Sequence, residues 1–308
     1  MIPVTLLECQ IESEHPLDLG PNPGSSLRGA LYEALAIMYD TGDAVHSRSD
    51  METNLVGWLL RLEDINITGG QEVPRPMAIR PPRKLGGLET TFELAFYGNG
   101  RESISMVLSA FAAAGTLGIG PRRGRGKGQY QLKHVKAVDP LTRQSVPFIE
   151  RGRQVRELPI APTASVYEHF ASILRSDTLS VHFLTPMRLI QGDQLCHQPV
   201  FRVWVQRLLE RLRKLSELYA EPVWIPFGEL LALCDNILIE RDETFWKEAW
   251  SYSRLQGRGK PTGGFVGTAR YNGQLQPLLP YLLLGQALQV GKNAIKGCGW
   301  YELVYEWK

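Results

Sequence analysis

Gly120-Pro-Arg-Arg-Gly-Arg-Gly126-Lys-Gly128-Gln-Tyr130-Gln-Leu132 aligns without a gap on Gly291-Lys-Asn-Ala-Ile-Lys-Gly297-Cys-Gly299-Trp-Tyr301-Glu-Leu303. Three glycines, a tyrosine and a leucine coincide over these thirteen positions, and Arg125 stands where Lys296 does. Each copy follows a helix-like stretch, Ser103 to Ala114 and Pro277 to Leu288, and runs into a strand-like one, Gln129 to Val138 and Trp300 to Trp307. A Gly-rich basic loop between a helix and a final strand, used twice, implies two copies of one domain. Glycine has no side chain to hold a ligand away, so such a loop lets backbone amides and cations approach phosphate closely.

Outward from the first copy, Val4 to Ile11 reads as a strand and His15 to Gly24 as a Pro- and Gly-rich loop. Ser25 or Ser26 offers an N-cap to a helix carrying Leu27, Leu31, Leu35 and Met38, which Gly42 would end. Val73 to Pro82 holds four prolines and reads as an extended edge segment. Thr90 to Tyr97 alternates as a strand should. The order is βαββαβ, the ferredoxin-like order, as in RNA-recognition-motif domains. Asp139 to Thr163, with four prolines and no apolar period, reads as a linker. The second half repeats the order: a strand at Leu179 to Leu189, a helix at Phe201 to Tyr219, a strand or helix near Phe245 to Leu255, and a strand at Gly264 to Tyr271. Helix, Gly-rich loop and last strand follow, and Phe227 to Leu238 is an additional apolar helix. The expected architecture is α+β, with domains at 1–140 and 164–308 joined by 141–163.

Length and composition agree. The 308 residues suit two domains, and an apolar fraction of 44% fills two cores. No run approaches the ~18 apolar residues of a membrane span, and no secretory signal opens the chain. Cys9, Cys196, Cys234 and Cys298 lie far apart, which suits a reducing cytoplasm and offers no zinc ribbon. The net charge is only +2, yet Gly115 to Arg156 holds ten Lys or Arg against Asp139 and Glu150. That asymmetry suggests one polyanion-binding face, although a solvated basic surface has the same composition. Gly118-Ile-Gly120 with Gly124 misses the dinucleotide fingerprint by one position and follows a helix. No Walker lysine or HExxH site occurs.

Gly263-Gly-Phe-Val-Gly-Thr-Ala-Arg-Tyr271, Leu278-Leu-Pro-Tyr-Leu-Leu-Leu-Gly285 and Val290-Gly-Lys-Asn293, running into Gly297-Cys-Gly299, form a C-terminal signature. It resembles that of the CRISPR-associated endoribonucleases that cut precursor CRISPR RNA within its repeats, the Cas-six branch of the RAMP superfamily. Gly24-Ser-Ser-Leu-Arg-Gly-Ala-Leu31, Val73-Pro-Arg-Pro76 and Ile79-Arg-Pro-Pro82 extend the resemblance over nearly the whole chain. It implies tandem ferredoxin-like domains, a bound CRISPR repeat RNA, a cytoplasmic location and metal-independent cleavage with no cofactor. Other subunits of a CRISPR interference complex are implied partners. An inactive relative that only holds guide RNA within such a complex is the alternative.

Metal-free RNA cleavage uses the ribose 2′-hydroxyl as nucleophile, so the protein supplies a base, an acid and cations. Histidine suits the proton transfers because its pKa lies near neutrality. The resemblance places such a histidine in or just after the first helix, which selects His46, with Arg48 two residues on and Tyr32 on the helix. His46 also fits an ordinary exposed loop, Tyr32 a packing role and Arg48 plain solvation. His15 is second choice, and His197 occupies the corresponding slot in the second half. Arg122, Arg123, Arg125 and Lys127, with Lys292, Asn293 and Lys296, are the expected RNA contacts of the two loops. Tyr130 and Tyr301 fit either base stacking or a core.

Overall fold

The computed structural model describes residues 1–39, 59, 73–121, 123, 127–175, 177–253 and 258–305. The first half runs β1 (Val4–Glu12), α1 (Pro23–Tyr39), β2 (Met77–Arg80), β3 (Glu89–Tyr97), α2 (Ile104–Leu117), β4 (Gln131–Val138). Strand β1 alternates its burial and lies at the centre, pairing antiparallel with β3 through Leu6↔Ala95 and with β4 through Leu6↔Val138. The spatial order β2-β3-β1-β4 is that of a ferredoxin-like sheet, with β2 at its edge as the prolines require. One face of β1 (Leu7, Cys9, Ile11) packs in a core with Leu27, Leu31 and Leu35 of α1 and Phe111 of α2.

Two first-half expectations shift. Helix α1 begins at Pro23, ahead of both serines: the amides of Ser25 and Ser26 donate to the Asn22 carbonyl at 3.0 and 3.2 Å. Proline suits the first helical position, where no N–H is needed. Inside the stretch expected to be linker, Ser145–Glu150 (β5) and Arg153–Gln154 (β6) extend the first sheet beyond β4. Asp139 Oδ1 accepts the amides of Leu141 and Thr142 at 2.9 and 2.7 Å, which turns the chain back along β4. Gly42 lies outside the described residues.

The second half opens with α3 (Ala164–Ser172), which the periodicity did not announce, and continues with β7 (Thr178–Met187). A small hairpin, β8 (Leu189–Gln191) and β9 (Gln194–Cys196), leads into α4 (Phe201–Tyr219) and α5 (Phe227–Cys234). Strand β10 spans Leu238–Lys247, ahead of the stretch expected, and Trp250–Ser253 (β11) pairs with Arg258–Pro261 (β12) as a separate hairpin. Then come β13 (Gly264–Asn272), α6 (Leu279–Leu288) and β14 (Tyr301–Val304). The order β10-β13-β7-β14 repeats that of the first sheet. The chain is thus two tandem ferredoxin-like folds, each with a Gly-rich loop before its last strand.

The halves share a core. Ile2, Val4, Leu6, Ala78, Ala95 and Tyr97, from the other face of the first sheet, join one buried cluster with Leu212 and Leu215 of α4 and the leucines of α6. Polar bonds cross the same seam. Tyr97 donates its hydroxyl to the Leu288 carbonyl at 3.0 Å, Tyr219 to that of Pro74 at 2.7 Å, and Gln289 Nε2 to that of Ile79 at 3.3 Å. Buried Arg80 donates to Glu93 at 2.8 Å and to the Gln286 carbonyl.

Candidate nucleic-acid interface

The repeated loop has the same internal skeleton twice. After α2, Gly118 (φ +79°) turns the chain, and the Ile119 amide donates to the Gly128 carbonyl at 2.9 Å. After α6, Gln289 (φ +55°) turns it, and the Val290 amide donates to the Gly299 carbonyl at 2.8 Å. Gly128 (φ +79°) and Gly299 (φ +77°) lie in the left-handed region, and a Cβ on either would overlap the Ile119 or Val290 carbonyl. These glycines are therefore required by the protein's own backbone. The tyrosines behave alike: both are buried, Tyr130 donating to the Phe111 carbonyl at 2.8 Å and Tyr301 to that of Leu282 at 2.7 Å. Base stacking is excluded for both, because neither ring reaches the surface. Cys298 is likewise inert, its pKa pushed up to about 12 by burial.

The second loop is docked on the first half. Gly24, in the first turn of α1, has no room for a Cβ against the Lys296 carbonyl, and a Cβ on Gly297 (φ +87°) would meet Pro81 at 2.9 Å and Gly24 at 3.3 Å. This approach brings Lys296 to the rim of a cleft of about 790 Å³ between α1, the first Gly-rich loop and the β11–β12 hairpin. Arg28 and Tyr32, one turn apart on α1, face it together with Arg123, Lys260 and exposed Trp250. Arg123 is held by a two-pronged ion pair with Glu33, at 2.5 and 3.1 Å, and so presents its charge from a fixed position. The hairpin is tied in place where the Asn22 side chain donates to the Trp250 carbonyl.

Of the expected residues, the cleft unites Tyr32, Arg123 and Lys296. Lys292 and Asn293 instead line a separate hollow across the same loop, and Lys127 is exposed and lines neither space. His15 is an exposed loop residue that does not line the cleft, and exposed His197 lies tilted against Trp246, with ring centroids 4.4 Å apart. His46, Arg48, Arg122 and Arg125 lie outside the described residues. Sequence reading missed Arg28, Lys260 and Trp250. The four-residue spacing of Arg28 and Tyr32 on one helical face was the available signal for Arg28; nothing local marks the other two. Four cations against Glu33, with an aromatic at the rim, suit a nucleic-acid backbone with an unstacked base. Among the described residues no group of His, Cys, Asp and Glu is arranged to hold a metal ion. No described helix is long and apolar enough to cross a membrane.

Comparison with known proteins accords with this geometry. The family model described as CRISPR-associated endoribonuclease Cas6 matches residues 181–301, and a second, described as an N-terminal domain (AF_1859_N), matches residues 2–160. No curated protein matches the chain. Among solved structures, a Cas6 (TTHB231) product complex is 14% identical, with a TM-score of 0.59 over 99% of this chain and 100% of that one. Thermus thermophilus Cas6 (TTHB231) is 12% identical, with a TM-score of 0.59 over 99% of both chains. A partial Cas6-RT-Cas1–Cas2 complex is 13% identical, with a TM-score of 0.63 over 99% of this chain and 46% of that one. At these identities the structural likeness establishes the fold, and the sequence-level match makes the second half, residues 181–301, similar to the CRISPR-associated endoribonuclease Cas6 family.

Proposed function

We propose that this protein binds the repeat of precursor CRISPR RNA and cleaves it to give guide RNA. The observation that carries the reading is the cleft itself, where Arg28, Tyr32, Arg123, Lys260 and Lys296 converge from both halves in a chain whose second half is similar to the Cas6 family. In this reading the strand lies in the cleft with its scissile phosphate among the cations. A base removes the proton of the 2′-hydroxyl, the 2′-oxygen bonds to phosphorus, and the P–O5′ bond breaks as an acid protonates the leaving oxygen. The products are a 2′,3′-cyclic phosphate and a 5′-hydroxyl, with no metal required. Arg28 and Lys296 offset the charge that grows on the phosphorane.

His46 is the proposed acid or base. It follows Tyr39, the end of α1, by seven residues, and seven residues of chain span at most about 25 Å. Ala36 and Ile37, in the last turns of α1 that lead towards His46 in sequence, line the cleft, which supports the reading. A cytoplasmic location follows from the same reading. Association with other CRISPR proteins, of the kind named for the similar Cas6-RT-Cas1–Cas2 chain, would appear as co-purification.

Purified protein incubated with labelled repeat RNA in excess EDTA tests the mechanism. Cutting should persist, should stop when the ribose 5′ of the scissile phosphate is 2′-deoxy, and should slow by about 10²- to 10⁴-fold in His46→Ala. RNA affinity should hardly change in that variant, because proton transfer acts mainly in the transition state. Binding without cutting would leave the inactive, guide-holding alternative; cutting that ignores the 2′-deoxy substitution would refute the mechanism.

A further inference from the structure

The loop that brings Lys296 to the cleft has a second side. Gly291 to Ile295 form one wall of a hollow of about 280 Å³. That is roughly nine water molecules' share of liquid volume, enough for a phosphate with part of its sugar. Helix α4 supplies another wall with Arg207, Arg211 and Lys214, whose spacing puts them on one helical face. Arg188 enters from the chain between β7 and β8, and Lys292 from the loop. Arg75 closes the hollow from the first half and is only 5% exposed. Among the described residues, six cations thus converge on one space that a single carboxylate, Glu210, shares. Glu210 is already engaged, accepting from Arg207 at 2.5 Å and from Gln206 at 3.0 Å.

Like charges three and four residues apart on a helix repel, and partial burial removes the water that would screen them. Burial lowers the pKa of Lys214, and Arg213, Lys292 and Arg207 lower it further against the opposing pull of Glu210. Three of the guanidiniums are aimed by the backbone. Arg207 Nε donates to the Ile190 carbonyl at 2.9 Å, Arg188 Nη1 to that of Gly263 at 2.9 Å, and Arg211 Nε to that of Leu288 at 2.8 Å. Guanidinium forks and ammonium groups gathered on one space suit a tetrahedral dianion or a phosphodiester.

We propose that this hollow is a second phosphate-binding site, built by both halves and separate from the cleft, which takes a backbone phosphate of the bound RNA. It rests on the RNA-binding reading above for the source of that phosphate, whereas the phosphate chemistry rests on the hollow alone. The shared loop makes the two sites neighbours: a strand leaving the cleft past Lys296 meets Lys292 four residues back along the same wall.

Two measurements on the full chain test it, with Lys214→Gln/Lys292→Gln as the variant and Lys260→Gln/Lys296→Gln in the cleft as the control. Pyrophosphate should raise the melting temperature of the wild type and of the control, and not that of the variant. In a salt series with labelled repeat RNA, the variant's plot of log affinity against log salt should be shallower by about 0.7, about 2.6-fold less weakening over a fourfold rise in salt. If pyrophosphate stabilisation is lost in the variant while the RNA slope is unchanged, the site serves a free phosphate ligand and the RNA assignment is overturned. If the variant keeps both, or only the cleft control loses the pyrophosphate effect, the hollow is no phosphate site. Wild-type protein that binds no repeat RNA would sink the functional reading, and the pyrophosphate arm would still judge the hollow. Lys292→Gln alone provides the same comparison should the double variant fold poorly.

Discussion

Tyr130 and Tyr301 show how far single residues can be read. Their coincidence in two copies marks them as important in each, but alignment cannot say whether a ring faces RNA or a core. The structure assigns both hydroxyls to helix carbonyls, at Phe111 and Leu282. The glycines divide similarly. Gly299 has φ +77° and the Val290 carbonyl where a Cβ would go, whereas Gly228, within α5, has nothing within 4 Å. Gly299→Ala should therefore destabilise the protein by about 2 to 4 kcal/mol, combining left-handed strain with displacement of the Val290 peptide. Gly228→Ala should instead stabilise it by about 0.5 to 1 kcal/mol through lower chain entropy in the unfolded state. Denaturant midpoints of the two variants decide it, and equal midpoints would remove the backbone explanation of the motif.

At the scale of elements, what was legible was whatever alternates or recurs against a core. Helix α4 coincides closely with its sequence pattern, since it buries one regular face, and strand β3 does so although it buries both faces from Phe92 to Tyr97. Strand β10 did not, because it is an edge strand whose Glu240, Arg241, Asp242 and Glu243 stand in solvent, so polarity replaces the expected apolar period. Strand β5 was hidden by Pro147 in the proline-rich stretch read as linker. The cleft was only half legible for a different reason. Its walls come from α1, both Gly-rich loops and the β11–β12 hairpin, and no local pattern records that Lys260 ends up opposite Arg28. The hairpin's part is testable. Lys260→Glu should weaken repeat-RNA binding by about tenfold or more, since it replaces a cation facing phosphate with a repelling charge, while stability stays within about 0.5 kcal/mol because the side chain is exposed. Fluorescence anisotropy with RNA reads the affinity; unchanged affinity would place the hairpin outside the interface.

For the whole molecule, the seam between the halves decides behaviour. Glu93 lies there, accepting from Arg80 at 2.8 Å and pairing with Arg143. Burial alone would push its pKa up; the Arg80 and Arg143 guanidiniums outweigh that and hold it below the ordinary carboxylate value. A carboxyl depressed in the folded state contributes stability that is fully present above its unfolded pKa, about 4.3, and is lost as pH falls through the folded value. Glu93→Gln should thus cost about 3 kcal/mol at pH 7, where it strands a buried guanidinium, and progressively less as the pH drops below about 4. Urea melts of both proteins across that range measure the gap. Because the larger core contains residues from both halves, each melt should show one transition. A gap independent of pH would mean that the pair contributes nothing through its charge.

The bonds across that seam have a consequence of another kind. Tyr97, Arg80, Tyr219 and Gln289 each reach from one half to a peptide carbonyl of the other, at Leu288, Gln286, Pro74 and Ile79. The donor must be a particular residue, but the acceptor is a peptide group that nearly every residue provides. The docking instructions are therefore written only at the donor end of each bond, two on either bank. A lineage can respell the acceptor positions with residues of similar bulk and keep the same join, while a single respelling among the four donors erases one instruction.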